Sequence, residues 1–151
     1  MTATKEQIIE FLAREFPTSK CRVEALGASS ATVTHEVGRA ELRPGGTVFG
    51  PVLMTVADMA LYVALLGEIG IVPLAVTTNL AFNFLRRPAG GKSIRGVSRL
   101  LKVGRALAVG EVLLYSEGTP ELVAHAVGTY SIPPRSIPPG AGSAASPVRS
   151  S

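Results

Sequence analysis

The stretch Gly46–Gly67, GTVFGPVLMTVADMALYVALLG, decides the fold. From Pro51 to Leu66 it is almost wholly apolar, and helix punctuation stands at both ends. Gly50 can serve as N-cap, and Pro51 suits the first helical turn, where its missing N–H costs nothing. Gly67 and Gly70 can stop the helix. A helix without a polar face must be covered on nearly all sides. Its 16 residues fall short of the ~20 that a membrane span needs. Asp58 stands in its middle, and a carboxylate among Met, Val, Ala and Leu is costly unless something pairs with it or uses it.

Working outward, the period changes. Thr4 and Gln7 form a capping box for a first helix, whose apolar side is Ile8, Ile9, Phe11, Leu12 and Phe16 and which Pro17 ends. Two extended stretches follow, Cys21–Leu26 and Thr32–Val37. Downstream of the apolar helix, Val76, Thr78, Leu80, Phe82 and Phe84 share one strand face, and Thr77, Asn79 and Asn83 the other. "RRPAGG" is a turn. Ser93–Val103, Ala106–Ser116 and Leu122–Ile132 read as three more strands, and the short turns predict antiparallel hairpins that join all four in one meander. The expectation is an α+β chain whose antiparallel sheet wraps around one long central helix. Residues 1–19 form an N-terminal helix, 20–132 the domain proper, and 133–151 a Pro/Gly/Ser-rich disordered tail.

The 151 residues suffice for one domain, with 46% hydrophobic residues supplying the core. No signal-peptide pattern opens the chain. Cys21 is the only cysteine, which excludes an intrachain disulfide and a cysteine zinc site, and it reads as a small apolar strand residue. These features point to a soluble, cytoplasmic protein with no membrane partner. The net charge is +4, but the basic residues come in ones and twos without interleaved aromatics. That pattern fits a few anion contacts and argues against nucleic acid. His35 and His125 lack metal-ligand spacing, and no metal or cofactor is expected.

Three motifs in order resemble the hot-dog fold and, within it, the PaaI-type acyl-CoA thioesterases. "GTVFGPVLMTVADMALYVA" looks like G-T-x-H-G-G-x-x-x-x-x-x-D, "VTTNLAFNFLRRPA" is similar to T-x-D-L-x-x-x-F-L-R-P-A, and "LLKVGRALAVGEVLL" resembles two strands joined by a Gly-Arg turn. The likeness spans roughly residues 20–132. It implies a thioester hydrolase acting on acyl-CoA, with CoA entering only as part of the substrate. By that resemblance Asp58 falls on the catalytic carboxylate, as general base or nucleophile. Gly50 falls on the glycine whose N–H polarises the thioester carbonyl, and Thr77 on a position that places the attacking water. Phe49 stands where a histidine is usual, Pro51 replaces a second glycine, Asn79 replaces an acid, and Arg43 stands where some members carry Asn. Phe49 can neither donate nor accept a hydrogen bond. That departure motivates an alternative, a hot-dog protein that binds acyl thioesters with little or no turnover.

Gly50 and Asp58 are eight residues apart, about 12 Å along one helix axis. One thioester carbonyl cannot reach both. If both act on one substrate they come from two chains, which predicts a homodimer with sites astride its interface, and dimers of this family often pair into homotetramers. Candidate phosphate contacts are Arg86, Arg87, Lys102 and Arg105, with Arg105 in the Gly-Arg turn the foremost, and Arg43 is a further substrate-binding candidate. Candidate acyl-pocket walls are Phe49, Met54 and Phe82.

Overall fold

The structure is a computed structural model and describes residues 2–134. The stretch read as a tail lies outside the described residues from 135 onward. The elements are α1 (Lys5–Glu15), β1 (Cys21–Gly27), β2 (Ser30–His35), α2 (Gly50–Ile69), β3 (Val76–Phe84), β4 (Ile94–Val103), β5 (Leu107–Ser116) and β6 (Leu122–Ser131). A short 3₁₀ turn, Arg39–Glu41, precedes α2. The expected α+β architecture is present. Six antiparallel strands in the order β1-β2-β4-β5-β6-β3 pack against α2.

The capping box forms as read: Thr4 accepts from the Gln7 N–H, and the Gln7 side chain accepts from the Thr4 N–H. α1 then docks through Phe11, which lies 6.3 Å from the Tyr62 ring on α2. At 20 residues α2 is longer than the 16-residue apolar run, and it does have the length and composition of a membrane span, but 61% of its most apolar window is buried inside the fold. Leu53, Val56, Leu61, Leu65 and Leu66 are fully enclosed. Each such side chain contributes roughly 1.5–3 kcal/mol of burial. The sheet approaches closely because strand glycines face the helix. Gly110 and Gly128 are cross-strand partners, and a Cβ on either would lie 2.7 Å or 2.6 Å from Leu61.

Three details differ from the sequence reading. Gly50 is the first residue of α2, and Phe49 occupies the N-cap. Gly67 lies buried within the helix, and Gly70, at φ 92°, makes the stop. The meander comprises only β4, β5 and β6, because β3 pairs with β6 at the sheet edge and "RRPAGG" belongs to a crossover rather than a hairpin turn. β4 is already bonded by β2 on one side and β5 on the other, so β3 could pair with it only by displacing one of them.

α2 is not covered evenly. Pro51, Met54 and Thr55 are exposed and Asp58 is half-buried, and their spacing makes one stripe on the N-terminal half. The adjacent edge strand leaves Val76, Phe84 and Leu85 more than half exposed.

Candidate active site

Asp58 projects from the uncovered stripe of α2 toward β3 and β6. Thr77 Oγ1 donates to its Oδ1 at 2.5 Å, and the Tyr130 hydroxyl donates to the same oxygen at 2.6 Å while lying 2.9 Å from the Asp58 carbonyl oxygen. Among the described residues, no hydrogen bond reaches Oδ2. One carboxylate oxygen is thus doubly held and the other is free. The cost of placing a carboxylate here is met by two hydroxyls rather than by a cation.

A β-bulge makes this possible. Thr77 pairs with Tyr130 and Asn79 with Thr129, so Thr78 is left without a partner in the ladder. An extra residue reverses which side chains face inward. The simple alternation put Thr77 opposite Leu80 and Phe82. With the bulge, all three are half-buried and Thr77 reaches Asp58. Tyr130 was not singled out from the sequence. Its signal is position: β6 buries its alternate residues Ala124, Ala126, Gly128 and Tyr130. A tyrosine on such a face needs a partner for its hydroxyl. Its ring stacks on Tyr62, 6.0 Å away and one helical turn from Asp58. Burial first, and then the Asp58 charge, push the Tyr130 phenol well above its ordinary range, so it stays a proton donor.

Asp58, Thr77 and Tyr130 line a cavity of about 440 Å³ together with Phe16, Met59 and Tyr62. Gly50 lines a different one, of about 800 Å³, with Arg43, Arg86, Arg87, Leu53 and Phe84. The two share no residue. Within one chain, therefore, the structure does not bring Gly50 to Asp58. As the first helical residue, Gly50 has an N–H without an intrahelical acceptor. No side chain caps this end of α2, and no acid stands in its first turn. Three arginines beside it, none with a carboxylate partner among the described residues, make a strongly anion-attracting corner. A Cβ at Gly50 would meet only the Phe84 ring, at 3.7 Å.

The remaining candidates are dispersed. Phe49 is 49% exposed and donates its N–H to the Glu41 carbonyl, and Met54 is 40% exposed on the open stripe. Neither lines either cavity. Phe82 packs against the core and stacks on Phe84 at 5.0 Å, one ring removed from the Gly50 cavity. Arg105 is exposed in the β4–β5 turn, at the end of the sheet away from Phe84 and Gly50. Among the described residues no three His, Cys, Asp or Glu side chains gather as a metal site would require.

The profile of the Thioesterase superfamily matches residues 45–123. A crystal structure of a candidate thioesterase from a Silicibacter species is 42% identical, with 86% of this chain and 92% of that one covered and a TM-score of 0.80. A mutant of the phenylacetic acid degradation protein PaaI from Thermus thermophilus is 25% identical, with 82% and 98% covered and a TM-score of 0.67. Zebrafish thioesterase superfamily member 2 shares the fold at 22% identity, covering 87% and 100%, with a TM-score of 0.76. The chain matches none of the curated proteins compared with it.

Proposed function

Because the chain belongs to the Thioesterase superfamily, we propose that it hydrolyses an acyl-CoA thioester to the free acid and CoA. Asp58 Oδ2 is the reacting oxygen. As general base it takes a proton from water while the water oxygen adds to the thioester carbonyl, and the tetrahedral intermediate then collapses, breaking the C–S bond and releasing CoA, whose thiolate takes up that proton. As nucleophile it adds directly, expels the CoA thiolate, and leaves a mixed anhydride that water then opens. On both routes the developing oxyanion sits at the N–H of Gly50 and the positive end of its helix. The Thr77 proton is engaged by Oδ1, so toward water Thr77 acts through its lone pairs, accepting a hydrogen bond.

The observation that carries this reading is the Asp58 carboxylate, pinned through one oxygen and open through the other at a cavity wall. The Gly50 that serves it belongs to a second copy. The uncovered stripe of α2 and the exposed edge strand β3 supply a surface for such a homodimer, and pairing of dimers would give a homotetramer. Arg43, Arg86 and Arg87 beside Gly50 suit CoA phosphates, and Arg105 would contribute from another protomer. Phe49 and Met54, exposed next to this surface, and Phe82 behind Phe84 would line the acyl path once a partner closes it. The lone, half-buried cysteine fits a cytoplasmic protein.

Steady-state CoA release from a panel of acyl-CoAs tests the activity. Asp58→Ala should abolish it, and unchanged turnover would refute the mechanism. Mixing Asp58→Ala with Gly50→Val, whose side chain covers the N–H, should restore about one working site per mixed dimer. Failure to complement would refute the shared site. A second reading, binding without turnover, is favoured by Phe49, which gives the helix N-terminus no side-chain cap. Tight binding of acyl-CoA with no hydrolysis across the panel would establish it.

A further inference from the structure

Phe16 and Met59 line two cavities at once. One is the space beside Asp58, and the other is a groove of about 410 Å³ between α1 and β1, walled by Ile9, Leu12, Pro17, Cys21 and Val23. They are the residues the two cavities share, and Phe16 is 42% exposed. They differ in stiffness. Phe16 is the C-cap of α1, its N–H bonded to the Leu12 carbonyl at 2.8 Å, and its ring stands edge-on to Tyr62 at 6.0 Å and to Phe11 at 6.3 Å. Met59 is half-buried and unbranched, and a methionine side chain yields readily. Apart from Asp58, the walls of the first cavity carry no charge, and the groove behind is apolar except for Ser19 and Arg22. Such walls suit an uncharged, apolar acyl group. Phe16 lies outside the residues 45–123 that match the superfamily profile, and Met59 lies within them.

We propose that Phe16 and Met59 form the stop that sets acyl length: the acyl group fills the cavity beside Asp58, and the two side chains close the α1–β1 groove to it. This rests on the thioester reading of the Asp58 site. Each methylene newly buried raises kcat/KM by at most about fourfold, so the curve of kcat/KM against straight-chain length rises and then levels where the stop is met. In Phe16→Ala the two spaces join and the curve levels several methylenes later. For the longest chains the ratio to short-chain kcat/KM should exceed the wild-type ratio by more than about tenfold, equivalent to two further buried methylenes. Met59→Ala, which leaves α1 intact, should shift the curve in the same direction and decides the matter if Phe16→Ala fails to fold.

The same series is run as binding of non-hydrolysable acyl-CoA thioethers by calorimetry. Absence of turnover with a length-dependent Kd that moves in the variants would refute hydrolysis and keep the stop. Turnover with superimposable length profiles in wild type and both variants would overturn the stop and keep hydrolysis.

Discussion

Replacing Tyr130 with Phe removes one oxygen and leaves the ring. The lost group is a donor at 2.6 Å to Asp58 Oδ1, and the ring keeps its stack on Tyr62 at 6.0 Å. A hydrogen bond to a charged group contributes roughly 1.5–3 kcal/mol, equivalent to about 10- to 150-fold in rate if all of it serves to hold the carboxylate. Thr77 still holds the same oxygen, so the lower half of that range is expected. In CoA-release kinetics, kcat should fall about 10- to 50-fold while KM stays within about twofold, because neither substrate contact nor cavity shape changes. Thr77→Val should behave alike. The double variant should lose more than the product of the single losses, since each group in part replaces the other at one oxygen. The melting temperature of Tyr130→Phe should drop by about 2–4 °C, the shift expected for ~1 kcal/mol in a domain of this size. A kcat within threefold of wild type, or a loss carried wholly by KM, would refute the positioning role.

Two further outcomes concern the frame around the site. Glu41 holds the approach to α2. Its carboxylate accepts from Lys20 at 2.7 Å and from the Gly38 N–H at 2.7 Å, and its carbonyl accepts from Phe49. The Lys20 hydrogen bond first, and then the Gly38 N–H, hold its carboxyl below the usual carboxylate value of 4.5. A folded-state pKa below the unfolded value gives stability that is present above pH 4.5 and is lost as pH falls through the folded value. Glu41→Gln should therefore lower the urea midpoint at pH 7 and converge on wild type as pH drops below 4.5, and a gap that persists in acid would contradict the assignment. Gly128→Ala would place a Cβ 2.6 Å from Leu61 and 3.0 Å from Leu80, both packed in the core. Overpacking of this kind costs about 1–3 kcal/mol in urea titration, and a neutral result would mean that the helix sits farther from β6 than the structure has it.

Local pattern was enough for most of the fold. Every strand was visible as an extended stretch, the capping box of α1 was legible as Thr4 and Gln7, and the apolar run announced a helix that needed cover. Pairing was less legible. The sequence places β3 beside β4, but the chain crosses over and β3 joins β6, some 45 residues later. Hydrogen bonding between distant strands leaves no mark in the nearby composition. The site divided in the same way. Asp58 stood out because a lone carboxylate in an apolar helix has a cost that any reader of the sequence can see. Tyr130 did not, because a tyrosine in a strand is ordinary until something is known to lie opposite its hydroxyl.

By itself the sequence determined the period of each element, the burial demanded by α2, and the eight-residue spacing that keeps Gly50 and Asp58 apart on one helix. These follow from helix rise and side-chain polarity, which are properties of neighbours along the chain. Only the tertiary structure decided that Thr78 bulges, that Thr77 consequently turns inward, and that Tyr130 arrives at the same carboxylate oxygen from 72 residues away. Those depend on register between β3 and β6 and on how closely two glycines let the sheet approach Leu61, and register is fixed by the whole packed core rather than by any segment of it.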